Sequence, residues 1–238
     1  MVLKAESKTS LVVFAKAPVP GTVKTRMQSI LGENNCLLLH NALVCHALER
    51  IRLLDLPNLD KAVFFAGAPG EVFTYAEQLC IAPDISVEIQ FGENLGERLS
   101  NALEKKILCG YKKVVFIGTD SPLLGNDIIE EAIESLGAHD VVIGPSADGG
   151  YYLIGFSDLI PSILEGISWG SSLVFNQTLE VIKENSLHWK CLKKGFDLDT
   201  YEDLVEFYEI ARTTQAIQTE RSLRELMELI KQILRIKS

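Results

Sequence analysis

The sequence predicts an α/β protein with a mainly parallel sheet and helices on both faces of that sheet. Short β-branched apolar runs alternate with longer segments of helical periodicity, and the runs are continuously apolar. Continuous apolar runs are typical of strands buried on both faces, and strand–helix–strand repetition produces parallel strands. With 238 residues, 47% of them hydrophobic, the chain can fill the core of one large domain.

Five strands and four helices are predicted before residue 144. The strands are the runs at 11–15, 62–66, 86–91, 114–117 and 140–143, and the helices are the periodic segments at 37–54, 71–80, 95–108 and 127–136. Asp127 and Glu130 form a capping-box pattern at the start of the last of these helices. Because each helix joins two strands, the segments indicate right-handed crossovers in a parallel sheet.

The alternation changes after residue 144. Asp148-Gly149-Gly150 is a turn signal, and a strand at 151–156 follows the previous one closely, which predicts an antiparallel excursion near 150–156. A helix at 172–184, a strand near 189–192 and a helix at 201–211 follow.

We assign residues 1–214 to one domain and residues 215–238 to a C-terminal amphipathic helix. Apolar residues recur in it at intervals of three and four positions from Leu223 to Leu234. Two interpretations of this apolar stripe stay open: it packs on the chain's own domain, or it forms the contact of a homodimer.

The composition excludes several classes of protein. Acidic residues outnumber basic ones 32 to 23, a net charge of -9, which is unfavourable for a general nucleic-acid groove. The five cysteines form no CxxC pair, which favours a reducing cytosol. Residues 1–10 are polar, and the apolar run 11–15 is far shorter than the about 20 residues of a membrane span. We therefore expect a soluble cytoplasmic protein.

A cationic loop follows the first predicted strand, at the edge where open α/β sheets bind ligands. Lys16, Lys24 and Arg26 lie within eleven residues of an otherwise acidic chain, with Gly21 and two prolines between them. Backbone N–H groups near a helix start favour an anion, and the cations add to that effect, so the loop is a candidate phosphate site. A solvated basic loop is the alternative, since the Walker motif is absent.

Aspartates occur at the same predicted edge. Asp120 follows the fourth strand, and Asp197 and Asp199 precede a helix for which Thr200 with Asp203 is a start signature. Carboxylate oxygens in such places suit Mg²⁺ or Mn²⁺ bridged to phosphate, whereas the structural alternative for Asp120 is a hydrogen bond within the following turn. Of Asp197 and Asp199, we expect only one to face the site.

Three further features carry a weaker functional signal. Gly149-Gly150 has two interpretations: it brings the backbone close to a ligand, or it simply forms a tight turn. Trp169 also has two: it lines a pocket, or it packs in the core. His40 lies four residues after Cys36, a spacing that suits chelation. Both lie on the apolar side of one predicted helix without a third ligand, so we assign them to the core.

Short motifs, taken in order along the chain, resemble a known family. They are FAKAPVPG at 14–21, KTR at 24–26, GENLGER at 92–98, IGTDSP at 117–122, GP at 144–145, DGGYYLIG at 148–155, WG at 169–170 and DLDT at 197–200. The set resembles an uncharacterised bacterial family of GT-A-type glycosyltransferases in the nucleotide-diphospho-sugar transferase superfamily. That superfamily also includes molybdenum-cofactor and 2-phospholactate guanylyltransferases. The resemblance runs from about residue 11 to residue 207 and leaves the C-terminal segment uncovered.

The resemblance implies a Rossmann-like GT-A fold, a nucleotide along the loop after the first strand, and Mg²⁺ or Mn²⁺ between two aspartates. The implied metal ligands are Asp120 and Asp199, with Asp197 as the alternative, and the implied catalytic residues are Lys24, Asp120 and Asp199. The implied nucleotide-binding residues are Ala15, Lys16, Gly21, Lys24, Arg26, Asn94 and Arg98. The implied substrate pocket consists of Asp148, Gly149, Gly150 and Trp169. The implied partners are a nucleotide or nucleotide sugar and a small-molecule acceptor.

Two departures from the family pattern leave the reaction open. The glycosyltransferase DxD motif falls at Gly118-Thr119-Asp120, where its first aspartate is missing, and Tyr201 replaces a proline after the last motif. The resemblance favours a metal-dependent, glycosyltransferase-type enzyme that uses a nucleotide sugar. The alternatives are guanylyl or cytidylyl transfer to a phosphorylated acceptor with pyrophosphate release, which the single aspartate favours, and a nucleotide-binding module without catalysis.

Overall fold

One seven-stranded sheet organises residues 8–236, the part of the chain that this computed structural model describes. The strands are β1 Thr9–Lys16, β2 Leu59–Ala66, β3 Ile85–Ile89, β4 Lys113–Ile117, β5 Val141–Pro145, β6 Tyr151–Phe156 and β7 Trp189–Cys191. Their order across the sheet is β3-β2-β1-β4-β6-β5-β7. Strand β6 is antiparallel to β4 and β5, and the other neighbouring strands pair in parallel. The predicted class and the antiparallel excursion are therefore confirmed.

Helices cover both faces of the sheet. They are α1 Gln28–Leu31, α2 Glu33–Leu53, α3 Pro69–Gln78, α4 Leu95–Leu108, α5 Asn126–Ser135, α6 Val174–Glu184, α7 Tyr201–Ala211, α8 Ala216–Thr219 and α9 Arg221–Ile233. Two 3-10 turns are Thr25–Met27 and Pro161–Leu164. None of the helices within residues 8–236 combines the length and the apolar character needed to cross a membrane.

The apolar strand β1 shows how the two faces are filled. Its residues Leu11 and Val13 belong to the core cluster that α2, α3 and α5 complete, whereas Val12 belongs to the cluster on the side of α4 and α6. All three side chains have no exposed surface. Successive side chains of a strand point to opposite faces, so a run without polar residues is the expected sequence for a strand between two helical layers.

The C-terminal stripe packs on the chain's own domain. Leu223, Leu226, Met227 and Ile230 of α9 are buried in a third core cluster, together with residues of α2 and α7. The four side chains are thus covered by this chain's helices, and they offer no free apolar face for a homodimer. The contact between two copies that the stripe suggested is not supported.

Two predicted helix starts had different outcomes. Thr200 is the N-cap of α7, as expected, and forms a capping box with Asp203. The box expected at Asp127 is wrong, because α5 begins at Asn126 after the extended residue Gly125, and no side chain caps it. Asp127 instead lies in the first turn, where a carboxylate interacts favourably with the positive end of the helix.

Candidate functional site

A cleft of about 680 Å³ lies at the carboxyl ends of β1 and β4. The sheet continues through β2 and β3 on one side of this pair and through β6, β5 and β7 on the other. The strand order therefore reverses between β1 and β4, the point at which open α/β sheets bind ligands. The loops after β1, β4 and β5, the start of α4 and the segment before α7 line the cleft. Its volume falls within the range of about 300–1,000 Å³ that is typical of small-molecule sites.

Lys24 is an enclosed cation in this cleft, since its side chain is only 3% exposed. Its Nζ lies 2.7 Å from Asp120 Oδ1 and donates a hydrogen bond of 2.5 Å to the carbonyl of Leu198. The backbone of Lys24 is left-handed, with φ 49° and ψ 40°. That conformation costs a residue with a Cβ roughly 1–2 kcal/mol, and such strained residues cluster at functional sites. Lys24 thus joins the loops after β1 and β4 to the segment before α7.

Asp120 is held as a carboxylate by this lysine. Partial burial of its carboxyl group opposes ionisation, but the charge and hydrogen bond of Lys24 outweigh that effect, so the pKa of Asp120 lies below its ordinary 3.8. The carbonyl of Asp120 accepts a hydrogen bond of 2.8 Å from the Leu198 N–H. The backbone of Asp120 therefore binds the segment before α7 directly, and its side chain is linked to that segment through Lys24.

Asp197 and Asp199 both line the cleft, and Leu198 between them is fully buried. The expectation that only one aspartate faces the site is wrong, because side chains two positions apart return to the same side of an extended segment. Asp199 Oδ2 accepts a hydrogen bond of 2.9 Å from Arg26, and Asp197 accepts a short one from the Ser121 hydroxyl. Burial raises the pKa of both carboxyl groups.

The start of α7 fixes the position of Asp199. Asp203 Oδ2 accepts hydrogen bonds from the backbone N–H groups of Thr200 (2.7 Å) and Asp199 (3.0 Å). In return, the Thr200 hydroxyl accepts one from the Asp203 N–H (3.2 Å). The capping box that the sequence predicts is thus also the support of a candidate site residue.

A tight turn shapes the other side of the cleft. Asp148 Oδ1 accepts hydrogen bonds from the Ser146 hydroxyl (2.5 Å) and from the Gly150 N–H (3.0 Å). Gly149 has φ +91°, and a Cβ at this position would lie 2.2 Å from the Ser172 carbonyl oxygen. Asp148 and Gly150 line the cleft, whereas Gly149 is needed for the turn behind it.

Trp169 forms part of the apolar wall. Its ring meets the ring of Tyr151 edge to face, with centroids 6.1 Å apart, and both residues line the cleft. Its indole packs on Gly96 at the start of α4, where a Cβ would lie 2.3 Å from Nε1. Trp169 therefore packs and lines the pocket at the same time, which combines the two sequence-based interpretations.

Of three further predicted nucleotide-binding residues, Asn94 and Arg98 have structural partners, and Gly21 lies in a turn. Asn94 is the N-cap of α4 and accepts a hydrogen bond from the Glu97 N–H (3.0 Å), and Arg98 Nε donates to the Gly92 carbonyl (2.9 Å). Asn94 and Arg98 line the cleft, but Gly21 is not among its lining residues. Gly21 has φ +78° and belongs to the turn that leads towards the cleft.

Two residues that sequence reasoning missed hold the end of β1. Gln90 Nε2 donates to the carbonyls of Ala15 (2.9 Å) and Phe64 (2.8 Å), and His40 Nε2 lies 3.0 Å from the carbonyl of Lys16. Burial lowers the pKa of His40, so a neutral ring with the proton on Nε2 donates that bond. All of these except Phe64 line the cleft. Gln90 directly follows β3 in the structure, but the sequence analysis placed it inside a strand at 86–91, so the rule that selected Asp120 did not select it. His40 is buried as expected and offers no further sequence signal.

The oxygen-rich side of the cleft fits a hard divalent cation that is shared with phosphate. Four aspartates line the cleft: Asp120, Asp148, Asp197 and Asp199. Within residues 8–236, no three His, Cys, Asp or Glu side chains form a ready cage for a metal ion. Mg²⁺ rarely needs such a cage, because one or two carboxylates, phosphate oxygens and waters complete its shell. Each of the three predicted ligands already has a partner: Asp120 pairs with Lys24, Asp199 pairs with Arg26, and Asp197 accepts a hydrogen bond from the Ser121 hydroxyl.

Fold and cleft together define the structural class. A mainly parallel sheet with one antiparallel strand, carrying its cleft at the β1/β4 reversal, is the architecture of Rossmann-like nucleotidyltransferases and GT-A proteins. The chain belongs to the family described as "Uncharacterized protein conserved in bacteria (DUF2064)", whose family model matches residues 50–171. No curated protein matches the sequence.

A solved structure resembles almost the whole chain. It is a Desulfovibrio desulfuricans G20 protein, provisionally described as a nucleotide-diphospho-sugar transferase, with 30% sequence identity and a TM-score of 0.84. The alignment covers 95% of this chain and 98% of that one. It confirms the resemblance to the superfamily that the motifs indicate.

Two more distant structures share the fold. One is a cytidylyltransferase from Leptospira borgpetersenii, with 16% identity, a TM-score of 0.52 and coverage of 98% of this chain and 99% of that one. The other is glucosyl-3-phosphoglycerate synthase from Mycobacterium tuberculosis in complex with Mn²⁺, UDP and glucosyl-3-phosphoglycerate. It has 12% identity, a TM-score of 0.53 and coverage of 99% of this chain and 82% of that one. At these identities the likeness shows the fold alone.

Proposed function

We propose that this protein is a divalent-metal-dependent transferase that uses a nucleotide donor, with nucleotide-diphospho-sugars as the leading donor class. The observation that carries the proposal is the enclosed Lys24 beside Asp120 at the strand-order reversal. A buried ammonium group at the ligand edge of such a sheet is suited to phosphate oxygens. The description of the Desulfovibrio protein, which aligns over nearly the whole chain, supports the donor class.

In this proposal the cations of the loop after β1 bind the donor phosphates. The ammonium group of Lys24 has three donors, of which one faces Asp120 and one faces the Leu198 carbonyl, leaving a third for a phosphate oxygen. The side chain of Arg26 is 59% exposed, and its guanidinium has five donors in a planar fork. Lys24 therefore supplies a fixed contact, and Arg26 supplies an adjustable one.

Asp120 and Asp199 are the residues proposed to hold Mg²⁺ or Mn²⁺. When bound, the ion supplies positive charge that stabilises the phosphate oxygens and the leaving group. The protein's own contribution is the placement of two carboxylates, fixed by Lys24 on one side and by the start of α7 on the other. The glucosyl-3-phosphoglycerate synthase complex, which contains Mn²⁺ and UDP, supports this choice of ion by analogy of fold.

Nucleotidyl transfer is the second candidate, and one observation favours it. The segment after β4 begins Gly118-Thr119-Asp120, so only one carboxylate stands where glycosyltransferases of this fold carry two. In that reaction an acceptor phosphate attacks the α-phosphorus of a nucleoside triphosphate. The bond to the β-phosphate breaks, and pyrophosphate leaves with the electron pair.

A thermal-shift screen with nucleoside diphosphates, nucleoside triphosphates and nucleotide sugars, with and without Mn²⁺, tests the proposal. A nucleotide at 100 times its Kd stabilises the folded protein by about 2.7 kcal/mol. For a chain of this size that corresponds to an increase in Tm of roughly 5–10 °C. Acceptor mixtures with the best donor then separate the reactions, since glycosyl transfer releases a nucleoside diphosphate and nucleotidyl transfer releases pyrophosphate.

Asp120→Asn and Asp60→Asn form a matched pair for this screen. Asp60 is ion-paired with Lys8 at 2.6 Å, much as Asp120 is paired with Lys24, but it lies near the amino end of β2, away from the cleft. We expect Asp120→Asn alone to lose the metal-dependent part of the shift. A screen in which no nucleotide raises Tm, with or without metal, contradicts the proposal. Tight nucleotide binding without any transfer product would favour the alternative function, a nucleotide-binding module without catalysis.

A further inference from the structure

Arg50 of α2 lies behind the Asp120 loop, with a side chain that is 6% exposed. Its guanidinium donates hydrogen bonds to two successive backbone carbonyls, through Nη2 to Pro122 (2.8 Å) and through Nη1 to Ser121 (3.4 Å). Arg50 is absent from the residues that line the cleft. A buried charge without partners is costly, so Arg50 needs these two carbonyls as acceptors. The same hydrogen bonds hold the carbonyls in place.

The loop that Arg50 binds is also held from the cleft side. The Asp120 carbonyl accepts from the Leu198 N–H (2.8 Å), and the Ser121 hydroxyl donates to Asp197. The Ser121 carbonyl accepts a turn bond from the Leu124 N–H (3.1 Å). Bonds from the segment before α7 thus fix one side of the loop, and the guanidinium fixes the other.

The network behind the loop continues to the start of α9. His46 Nε2 lies 2.8 Å from Arg50 Nη2 and 3.0 Å from the Pro122 carbonyl oxygen, and His46 Nδ1 lies 2.8 Å from the Ser222 hydroxyl. Burial, with a contribution from the charge of Arg50, lowers the pKa of His46 to about 4, so the ring is neutral near pH 7. In one neutral tautomer Nε2 accepts from Arg50, in the other it donates to the Pro122 carbonyl, and the Ser222 hydroxyl can pair with Nδ1 in both. Glu220 Oε2 lies 3.5 Å from Arg50 Nη2 and offsets its charge.

We infer that Arg50 is a positioning residue: through the carbonyls of Ser121 and Pro122 it holds Asp120 against Lys24, and it makes the start of α9 part of that support. Only a planar guanidinium with several donors serves two carbonyls, an imidazole and a carboxylate together, whereas an ammonium at the same place serves fewer. The ligand that we assign to this loop rests on the proposed function, whereas the positioning of Asp120 by Arg50 does not.

Amide hydrogen exchange in Arg50→Lys and Arg50→Met tests the positioning. The N–H groups of Leu124 and Leu198 report on the loop, because their acceptors are the carbonyls of Ser121 and Asp120. We expect exchange at both amides to accelerate about tenfold or more. A lost hydrogen bond to a charged group is worth at least the roughly 1.4 kcal/mol that equals a factor of ten. The milder Arg50→Lys decides the question if Arg50→Met does not fold.

Lys106→Met is the control for a general loss of stability. Lys106 is also a buried cation, with a side chain 7% exposed and Glu88 at 3.5 Å, but it lies in α4 and does not line the cleft. The Lys106→Met substitution should lower Tm without changing the rate of amide exchange at Leu124 and Leu198. Unchanged exchange at these amides in a folded Arg50→Lys protein, or equal acceleration in Lys106→Met, overturns the inference.

Binding of UDP in the presence of Mn²⁺, or of the nucleoside diphosphate that the parent protein binds most tightly, supplies a functional readout. We expect Kd to rise about tenfold in the Arg50 variants and to stay unchanged in Lys106→Met at the same distance below Tm. Unchanged affinity with accelerated exchange removes the functional part of the inference. If the parent protein binds none of the nucleotides, the proposed function fails, and the exchange data still decide the positioning.

Discussion

Replacement of Lys24 by methionine is the most direct test of the cleft. The change keeps an unbranched side chain and removes the ammonium group. It deletes the 2.7 Å ion pair with Asp120 and the 2.5 Å hydrogen bond to the Leu198 carbonyl. The side chain of Lys24 is 3% exposed and that of Asp120 is 44% exposed, so solvent can rehydrate the carboxylate but not the site of the lost ammonium.

The magnitude follows from these contacts. A hydrogen bond to a charged group contributes about 1.5–3 kcal/mol, and rehydration of Asp120 places the stability loss near the lower end, about 1.5 kcal/mol. That loss lowers Tm by roughly 3–6 °C. If Lys24 also donates to phosphate, the nucleotide loses a bond of the same class, and Kd rises roughly 10- to 150-fold.

The same variant changes the pH dependence in a defined direction. Lys24 holds the pKa of Asp120 below its ordinary 3.8. A carboxyl group whose folded-state pKa is lowered contributes stability at pH values above its unfolded-state pKa and loses it as pH falls through the folded-state value. The part of the stability difference between the parent and Lys24→Met that comes from Asp120 is therefore complete at neutral pH and lost in strong acid, whereas the part from the hydrogen bond to the Leu198 carbonyl remains.

Calorimetric titration of nucleotide, together with thermal unfolding from pH 7 to pH 3, checks both effects. Lys113→Met is the matched control. Lys113 Nζ also donates to a backbone carbonyl, that of Ile133 at 2.7 Å, but it lies at the amino end of β4. The Lys113→Met protein should be less stable than the parent but bind nucleotide with the same affinity. Equal affinities of the parent and a folded Lys24→Met protein would show that phosphate does not bind at Lys24.

Four further predictions concern the surroundings of Lys24. Asp197→Asn should raise Tm at pH 7, because burial raises the pKa of Asp197 and its charge costs stability. In a pH series of unfolding scans, the gain should shrink as pH falls below that raised pKa and vanish below the unfolded-state pKa. Asp199→Asn should change stability by less than about 1 kcal/mol, since its pair with Arg26 is largely exposed, while Mn²⁺-dependent nucleotide binding is lost in calorimetry. Thr200→Ala should cost about 1 kcal/mol in urea unfolding through loss of its cap. Gly149→Ala should lower both Tm and nucleotide affinity, because the added Cβ would meet the Ser172 carbonyl oxygen and the left-handed backbone disfavours a side chain. For each of the four variants, a measurement without the expected change contradicts the contact from which it was predicted.

The fold could be predicted because each buried strand carries a signal of its own. The run at 11–15 has no polar residue, and β1 is indeed buried between two helical layers. The turn at Asp148-Gly149-Gly150 predicted β6 because a short connection permits only an antiparallel neighbour. Helix starts were less certain: Thr200 caps α7, whereas Asp127 does not cap α5, because the preceding Gly125 begins that helix earlier.

Most of the site residues predicted from the sequence line the cleft, but the contacts between them could not be predicted. The position of Asp120 after a strand, and of Lys24 in the loop after β1, was enough to place both at one edge of the sheet. Their ion pair depends on the left-handed backbone of Lys24, which no pattern in the sequence marks. The hydrogen bonds from Arg50 to the Ser121 and Pro122 carbonyls could not be predicted either, since a single arginine in an amphipathic helix is ordinarily exposed.

Opposite charges in the cleft connect the proposed metal site to the proposed phosphate site. Lys24 pairs with Asp120 and Arg26 pairs with Asp199, so each cation that the proposal assigns to phosphate already has a carboxylate beside it. A phosphate bound to these cations lies next to the same carboxylates, and a divalent ion between them offsets the repulsion. Metal and nucleotide then favour each other's binding, and linkage makes this coupling reciprocal. The support behind Asp120 matters for the same reason: its carboxylate must keep its position when a second anion arrives, and the bonds from Arg50 to the loop resist that displacement.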